Sequence, residues 1–188
     1  MDSFFLPLVA AAIAEWGDKT QILAMLLATR FAKPLPLFLG IGAAAAINMA
    51  IATFGGRLLI AVIDPNAAML FLALGFLFAG VGAFVPFRNP TTGLSWKIGA
   101  LATAFIAFLA VEIGDKTQFI AAGFGASGAN WVFVAIGATI GVLLGAAPAI
   151  VMGTALRETV PLPLIRRIAG GLFLVVSFVL AINALALI

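Results

Sequence analysis

Two seven-residue segments constrain this chain more than any other feature. Glu15-Trp16-Gly17-Asp18-Lys19-Thr20-Gln21 returns as Glu112-Ile113-Gly114-Asp115-Lys116-Thr117-Gln118, identical at six of seven positions. Each copy places three charges near the middle of a long apolar run. Of the 188 residues, 64% are hydrophobic and only 9% are charged, where a water-soluble domain would carry about a quarter. The natural solvent of such a chain is lipid. A charged side chain at the bilayer centre costs roughly 2.5–3.5 kcal/mol on insertion scales. The six motif charges must therefore face one another, a wet cavity or a bound ion.

Apolar runs punctuated by charge, proline and glycine predict six membrane spans. They cover Phe4–Thr29, Leu35–Ile63, Ala67–Phe87, Ile98–Phe124, Asn130–Leu156 and Leu164–Ile188. The fold class expected is an all-α integral membrane protein. One copy of the motif falls in each group of three spans, dividing the chain into halves 1–92 and 93–188. An odd number of spans per half makes the second half enter from the opposite side. The halves then form inverted repeats, an architecture that puts substrate sites near the midplane. Phe38–Gly42 against Phe133–Gly137 is a weaker echo of the same repeat. The N-terminal apolar stretch lacks a positive n-region, so no cleaved signal peptide is expected.

Charge sets the orientation. Arg30, Lys33, Arg88, Lys97, Arg157, Arg166 and Arg167 fall in alternate loops. By the positive-inside rule that side is cytoplasmic and both termini face the non-cytoplasmic side of the cell (inner) membrane. The net charge of +3 is thus a topology signal rather than a nucleic-acid footprint. Arg57 and Asp64, on the other side, read as a snorkelling arginine and its neighbour, with an outer gate pair as the alternative.

The motif residues suit a hard cation. On a continuous helix Glu15 and Asp18 share a face, with Lys19 in the same arc, and Glu112, Asp115 and Lys116 repeat the arrangement. Gly17 and Gly114 permit close approach, or loosen the helix so that backbone groups become available. Four carboxylates and two lysines leave a charge of −2, which one divalent cation neutralises. The chain has neither His nor Cys. That disfavours Zn and Cu and leaves oxygen ligands suited to Mg, Ca or Mn. The metal ligands expected are Glu15, Asp18, Glu112 and Asp115. Lys19, Lys116, Thr20, Thr117, Gln21, Gln118 and Asn48 are expected around them as supporting or gating groups. Crowded carboxylates cannot all stay ionised at once, so protons compete with the metal, and Na⁺ could play the same part.

The doubled Glu-x-Gly-Asp-Lys-Thr motif in a small six-span chain resembles the Gdt-type family of manganese and calcium transporters. The resemblance covers nearly the whole chain, and both copies match without departure. It implies transport of Mn²⁺ or Ca²⁺ against protons, with the motif acids as the cation site, and in bacterial members it points to manganese export. No cofactor is implied beyond the transported metal.

Other readings are weaker. The motifs could act as structural ion pairs, Glu15–Lys19 and Glu112–Lys116, but buried pairs stabilise poorly. Asn48 reads as an interhelical hydrogen bond or a support for the site. Asn183 is placed near the outer interface. Gly137, Gly141 and Gly145 form a ridge for close packing, within the chain or in a homodimer. Trp96 and Trp131 read as interface anchors, and Trp16 as part of the site wall. An exporter of small amino acids or organic cations, or a non-transporting scaffold, would explain the acids less well. The chain shows no phosphate-binding loop and no nucleophile–base constellation, so an ATP-driven pump and an enzyme are not expected.

Overall fold

The computed structural model describes residues 2–91 and 95–185. Among these the chain forms nine α-helices: α1 (Asp2–Glu15), α2 (Lys19–Phe31), α3 (Pro34–Leu59), α4 (Pro65–Phe84), α5 (Ala100–Glu112), α6 (Lys116–Ala126), α7 (Trp131–Met152), α8 (Leu156–Thr159) and α9 (Leu162–Ala184). Four stretches of the described residues are long and apolar enough to cross a membrane: α3, α4, Trp131–Thr159 and α9. The end of the last predicted span and the boundary between residues 92 and 93 lie outside the described residues.

Local chemistry fixes the helix ends. Pro34 and Pro65 occupy first-turn positions, where their missing N–H costs nothing. Asp64 caps α4 by accepting from the Ala67 N–H at 2.9 Å. Among the described residues no ion pair joins it to Arg57. Asn130 caps α7 by accepting from Val132 at 3.1 Å.

The first and fourth predicted spans are each interrupted at the motif. α1 ends at Glu15 and α2 begins at Lys19; α5 ends at Glu112 and α6 begins at Lys116. The cause is the glycine. Gly17 and Gly114 both take φ +71°, a left-handed conformation that costs a side-chain-bearing residue about 1–2 kcal/mol. This corrects the shared-face expectation. Glu15 closes one helix and Asp18 sits at the N-cap position of the next, its side chain making no capping hydrogen bond, so helical i, i+3 spacing does not relate them.

Small residues let the helices approach at backbone distance. Gly137, Gly141 and Gly145 of α7 lie against Phe4, Leu8 and Glu15 of α1, so the small-residue ridge is consumed within the chain. Gly56 of α3 meets Ala122 of α6, and Gly125 meets Thr53. The principal core lies among α2, α3, α5 and α7, with Leu23, Leu27, Ile41, Met49 and Phe108 fully buried. A smaller cluster joins Leu72, Phe76, Ile120 and Phe173.

The three basic loops meet at one end of the bundle. Arg30 donates to the Trp96 carbonyl, Arg157 to Asn89 at 3.3 Å, and Arg166 to the carbonyls of Gly82 and Val85 at the end of α4. At the opposite end Phe54 stacks edge-on against Trp131 at 5.4 Å. Asn183 is exposed and returns a hydrogen bond to Val179 of its own helix.

Candidate functional site

Both motifs meet inside the bundle in two layers. The inner layer holds Glu15 and Glu112, both fully buried. Thr20 donates to one oxygen of Glu15, and Thr117 of the other motif donates to its second oxygen at 2.8 Å. Glu112 accepts from the Asn48 side chain at 3.1 Å through Oε2, while its Oε1 has no hydrogen-bond partner among the described residues. The two glutamates therefore differ in their surroundings although their motifs match.

The outer layer is made of aspartates and lysines, paired across the motifs. Lys19 lies 2.9 Å from Asp115, and Lys116 lies 2.6 Å from Asp18 and 3.7 Å from Asp115. No Glu15–Lys19 or Glu112–Lys116 ion pair exists among the described residues, so the weaker reading of the motifs as intrahelical ion pairs does not match the crossed pairs observed. Among those residues, too, no three acids converge closely enough to hold a metal as they stand. Lys116 bridges the two aspartates, and Lys19 adds a second positive charge at Asp115.

The glutamines stitch the breaks. Gln21 accepts from the Gly17 N–H at 2.8 Å and donates to the Gly145 carbonyl at 2.7 Å. Gln118 accepts from the Gly114 N–H at 2.7 Å and donates to Asn48 Oδ1 at 3.1 Å. Each break thus frees a backbone donor that its own motif satisfies, as burial in an apolar medium requires. Shifting by the separation of the two motif glutamates brings Asn48 onto Gly145. The amide that supports Glu112 has no counterpart beside Glu15, where the glycine instead packs against the glutamate's Cβ. Asn48 is therefore both an interhelical hydrogen bond and a support for a motif acid.

A cavity of about 350 Å³ reaches the outer layer, lined by Asp18, Lys19, Gly114, Asp115, Lys116 and Arg166 among others. It includes Val85, Pro86 and Phe87, so it opens toward the end where the basic loops meet. Arg166 stacks over Phe87 at 4.6 Å and also lines a second cavity of about 340 Å³ beside Gly17 and Ile22. In the sequence Arg166 reads only as a topology determinant and Gly145 only as part of a packing ridge. For Gly145 the signal was available in the repeat offset that pairs it with Asn48. Trp16 is half-buried and lines a small cleft with Ile165 and Ala169.

The site offers only carboxylate, amide, hydroxyl and carbonyl oxygens, a donor set for a hard divalent cation. Comparison with known proteins decides the family. The profile of the divalent cation/proton antiporter GDT1 family matches twice, over residues 3–90 and 100–187. The chain belongs to this family. It is a multi-pass membrane antiporter of divalent cations and protons, not an enzyme, and each of its halves is one copy of the family repeat. The antiporter is 34% identical over 184 residues to a Vibrio cholerae serotype O1 protein named "Putative manganese exporter", covering 96% of this chain and 91% of that one. No solved structure matches the antiporter.

Proposed function

We propose that the antiporter exports Mn²⁺ from the cytoplasm in exchange for protons. In this reading it has six spans arranged as two inverted three-helix halves, 1–92 and 93–188, with both termini on the non-cytoplasmic side. Two of the spans are broken, α1–α2 and α5–α6. Glu15, Asp18, Glu112 and Asp115 hold the cation. Lys19 and Lys116 are the counter-charges that it displaces from the aspartates. Thr20, Thr117, Gln21, Gln118 and Asn48 hold the acids and the breaks in place.

The observation that carries this reading is the crossed pairing of Lys19 with Asp115 and Lys116 with Asp18, directly above two buried glutamates. Each lysine neutralises an acid from the other half, so a cation entering between the aspartates replaces charge already present. The oxygen-only donor set favours Mn²⁺ or Ca²⁺ over softer metals, and the name of the Vibrio relative favours Mn²⁺. The concentration of Arg and Lys at one end of the bundle supports the orientation.

Metal flux in proteoliposomes with an imposed pH gradient tests the proposal. Mn²⁺ movement should follow ΔpH, reverse when ΔpH is reversed, and vanish in Glu15→Gln and Glu112→Gln variants that still insert. Flux of Ca²⁺ but not Mn²⁺ would overturn the metal assignment.

A further inference from the structure

Most of the packing between the halves is reciprocal, and the exception identifies a moving part. α1 packs along α7, as α5 packs along α3; α3 packs on α6, as α7 packs on α2. These six elements form a frame in which each contact has its counterpart in the other half. α4 and α9 are different. They pack closely on each other, and α4 also lies along α6. The counterpart of that last contact, α9 along α2, has no comparable packing among the described residues. A cavity of about 340 Å³, reaching Gly17 and Ile22, lies there instead.

α4 and α9 hold together as one body. A Cβ built on Gly80 or on Gly170 would lie 3.1 Å from the other's carbonyl oxygen, so the backbones touch. Ser177 donates to the Ala73 carbonyl at 2.7 Å. Shifting by the motif separation relates this second contact to the first, and it places Phe76 on Phe173, whose rings are 5.5 Å apart. The pair is symmetric about its own crossing point but sits asymmetrically on the frame.

Access to the acids is equally one-sided. The outer layer opens through the vestibule at the basic end. At the opposite end a cavity of about 590 Å³, lined by Ile13, Leu72, Phe76, Phe124 and Phe173, stops short of every motif acid. Between the two cavities α4 is sealed against α6: Phe78 and Phe119, which line the vestibule, stack at 5.5 Å, and a Cβ on Gly75 would lie 3.0 Å from the Phe119 carbonyl oxygen, while Leu72, Phe76 and Phe124 line the apolar side. The glycines of the breaks share the asymmetry. Gly17 is covered by Leu162 and Arg166 of α9, whereas Gly114 faces open space.

We propose that the α4–α9 pair rocks as a unit on the frame, sealing α4 against α6 in the state described here and α9 against α2 in the alternate state. This deepens the transport reading above by assigning the element that switches access. The repeat offset names the second seal, because Phe78 and Phe119 correspond to Val175 and Ile22. In the alternate state those two residues meet, the basic-end vestibule closes, and the apolar cavity at the other end extends to the acids.

The chain contains no cysteine, so paired thiols can be introduced without background. The test uses Phe78→Cys/Phe119→Cys and Ile22→Cys/Val175→Cys in the full chain, with a short thiol-specific cross-linker and each reduced variant as its own reference. Cross-linking the first pair should reduce Mn²⁺ flux at least about tenfold, and reduction should restore it. The second pair should cross-link during turnover and then block flux in the same reversible way. Flux that survives cross-linking of the first pair, or a second pair that never cross-links in a transporting protein, would overturn the rocking assignment. Cross-link yield is read on a gel, without flux. A wild type that fails to exchange metal for protons therefore sinks the transport reading separately.

Discussion

Lys116 of the second motif lies 2.6 Å from Asp18 of the first, closer than the 3.7 Å to Asp115 beside it in sequence. Its side chain is only 12% exposed, against 32% for Lys19. The two lysines are therefore unequal, although the motifs that carry them match. Lys116→Met removes the counter-charge of two nearly buried aspartates, and breaking a buried pair costs about 3 kcal/mol or more. Lys19→Met removes a more solvated partner and costs roughly 1 kcal/mol or less. Thermal unfolding in detergent should rank the two variants in that order. Equal losses would mean that the crossed pairs share the load evenly.

Gly17 and Gly114 share a backbone conformation but not an environment. Alanine at either position meets the left-handed penalty of about 1–2 kcal/mol. At Gly17 its Cβ would also lie 2.6 Å from the Leu162 carbonyl oxygen and 2.9 Å from the Arg166 Cβ, whereas at Gly114 it meets open space. Gly17→Ala should thus be the more disruptive change, with lower thermal stability and less inserted protein than Gly114→Ala. The reverse order would contradict the packing of α9 on the first break.

Asn48→Leu removes the donor to Glu112 and the acceptor of Gln118 in one step. Leaving such buried groups without partners costs about 1–3 kcal/mol each. Because the amide supports a motif acid, the apparent KM for Mn²⁺ should rise beyond what reduced abundance explains. Gln at this position should recover part of the loss. A Leu variant with lower stability but an unaltered KM would confine Asn48 to packing.

Thr117→Val strips Glu15 of the hydroxyl that reaches it from the other half. Valine has nearly the same shape, so the change isolates the hydrogen bond. A stability loss of about 1–3 kcal/mol is expected, together with a fall in metal flux, and Thr117→Ser should restore both. Flux that is unchanged in the valine variant would show that Glu15 does not depend on the second half.

Much of this site could be read from the residues. Intramembrane charge marks the motifs, and glycine between acidic residues points to an opening of the helix there. The partners of the lysines were not legible. Helical spacing pointed Lys19 at Glu15, but that spacing fails once Gly17 ends the helix. The observed partner, Asp115, depends on how the two broken helices meet, and local sequence carries no information about that. Asn48 could be singled out as a polar residue in an apolar span, yet its bond to Glu112 required knowing which face of α3 meets α5. Arg166 was hidden by its company, since a basic residue in a basic loop gives no sign that it closes the end of α4.

The pairing of Asn48 with Gly145 bears on why both repeats occupy one polypeptide. Two identical subunits of one repeat each would have to place the same residue against both glutamates, either asparagine twice or glycine twice. Asparagine has no room where α7 packs on Glu15, and glycine would leave Glu112 unsupported. Fusion frees each copy to specialise, so that one carboxylate is braced by hydroxyls and the other by an amide. A division of labour of that kind is closed to any symmetric assembly.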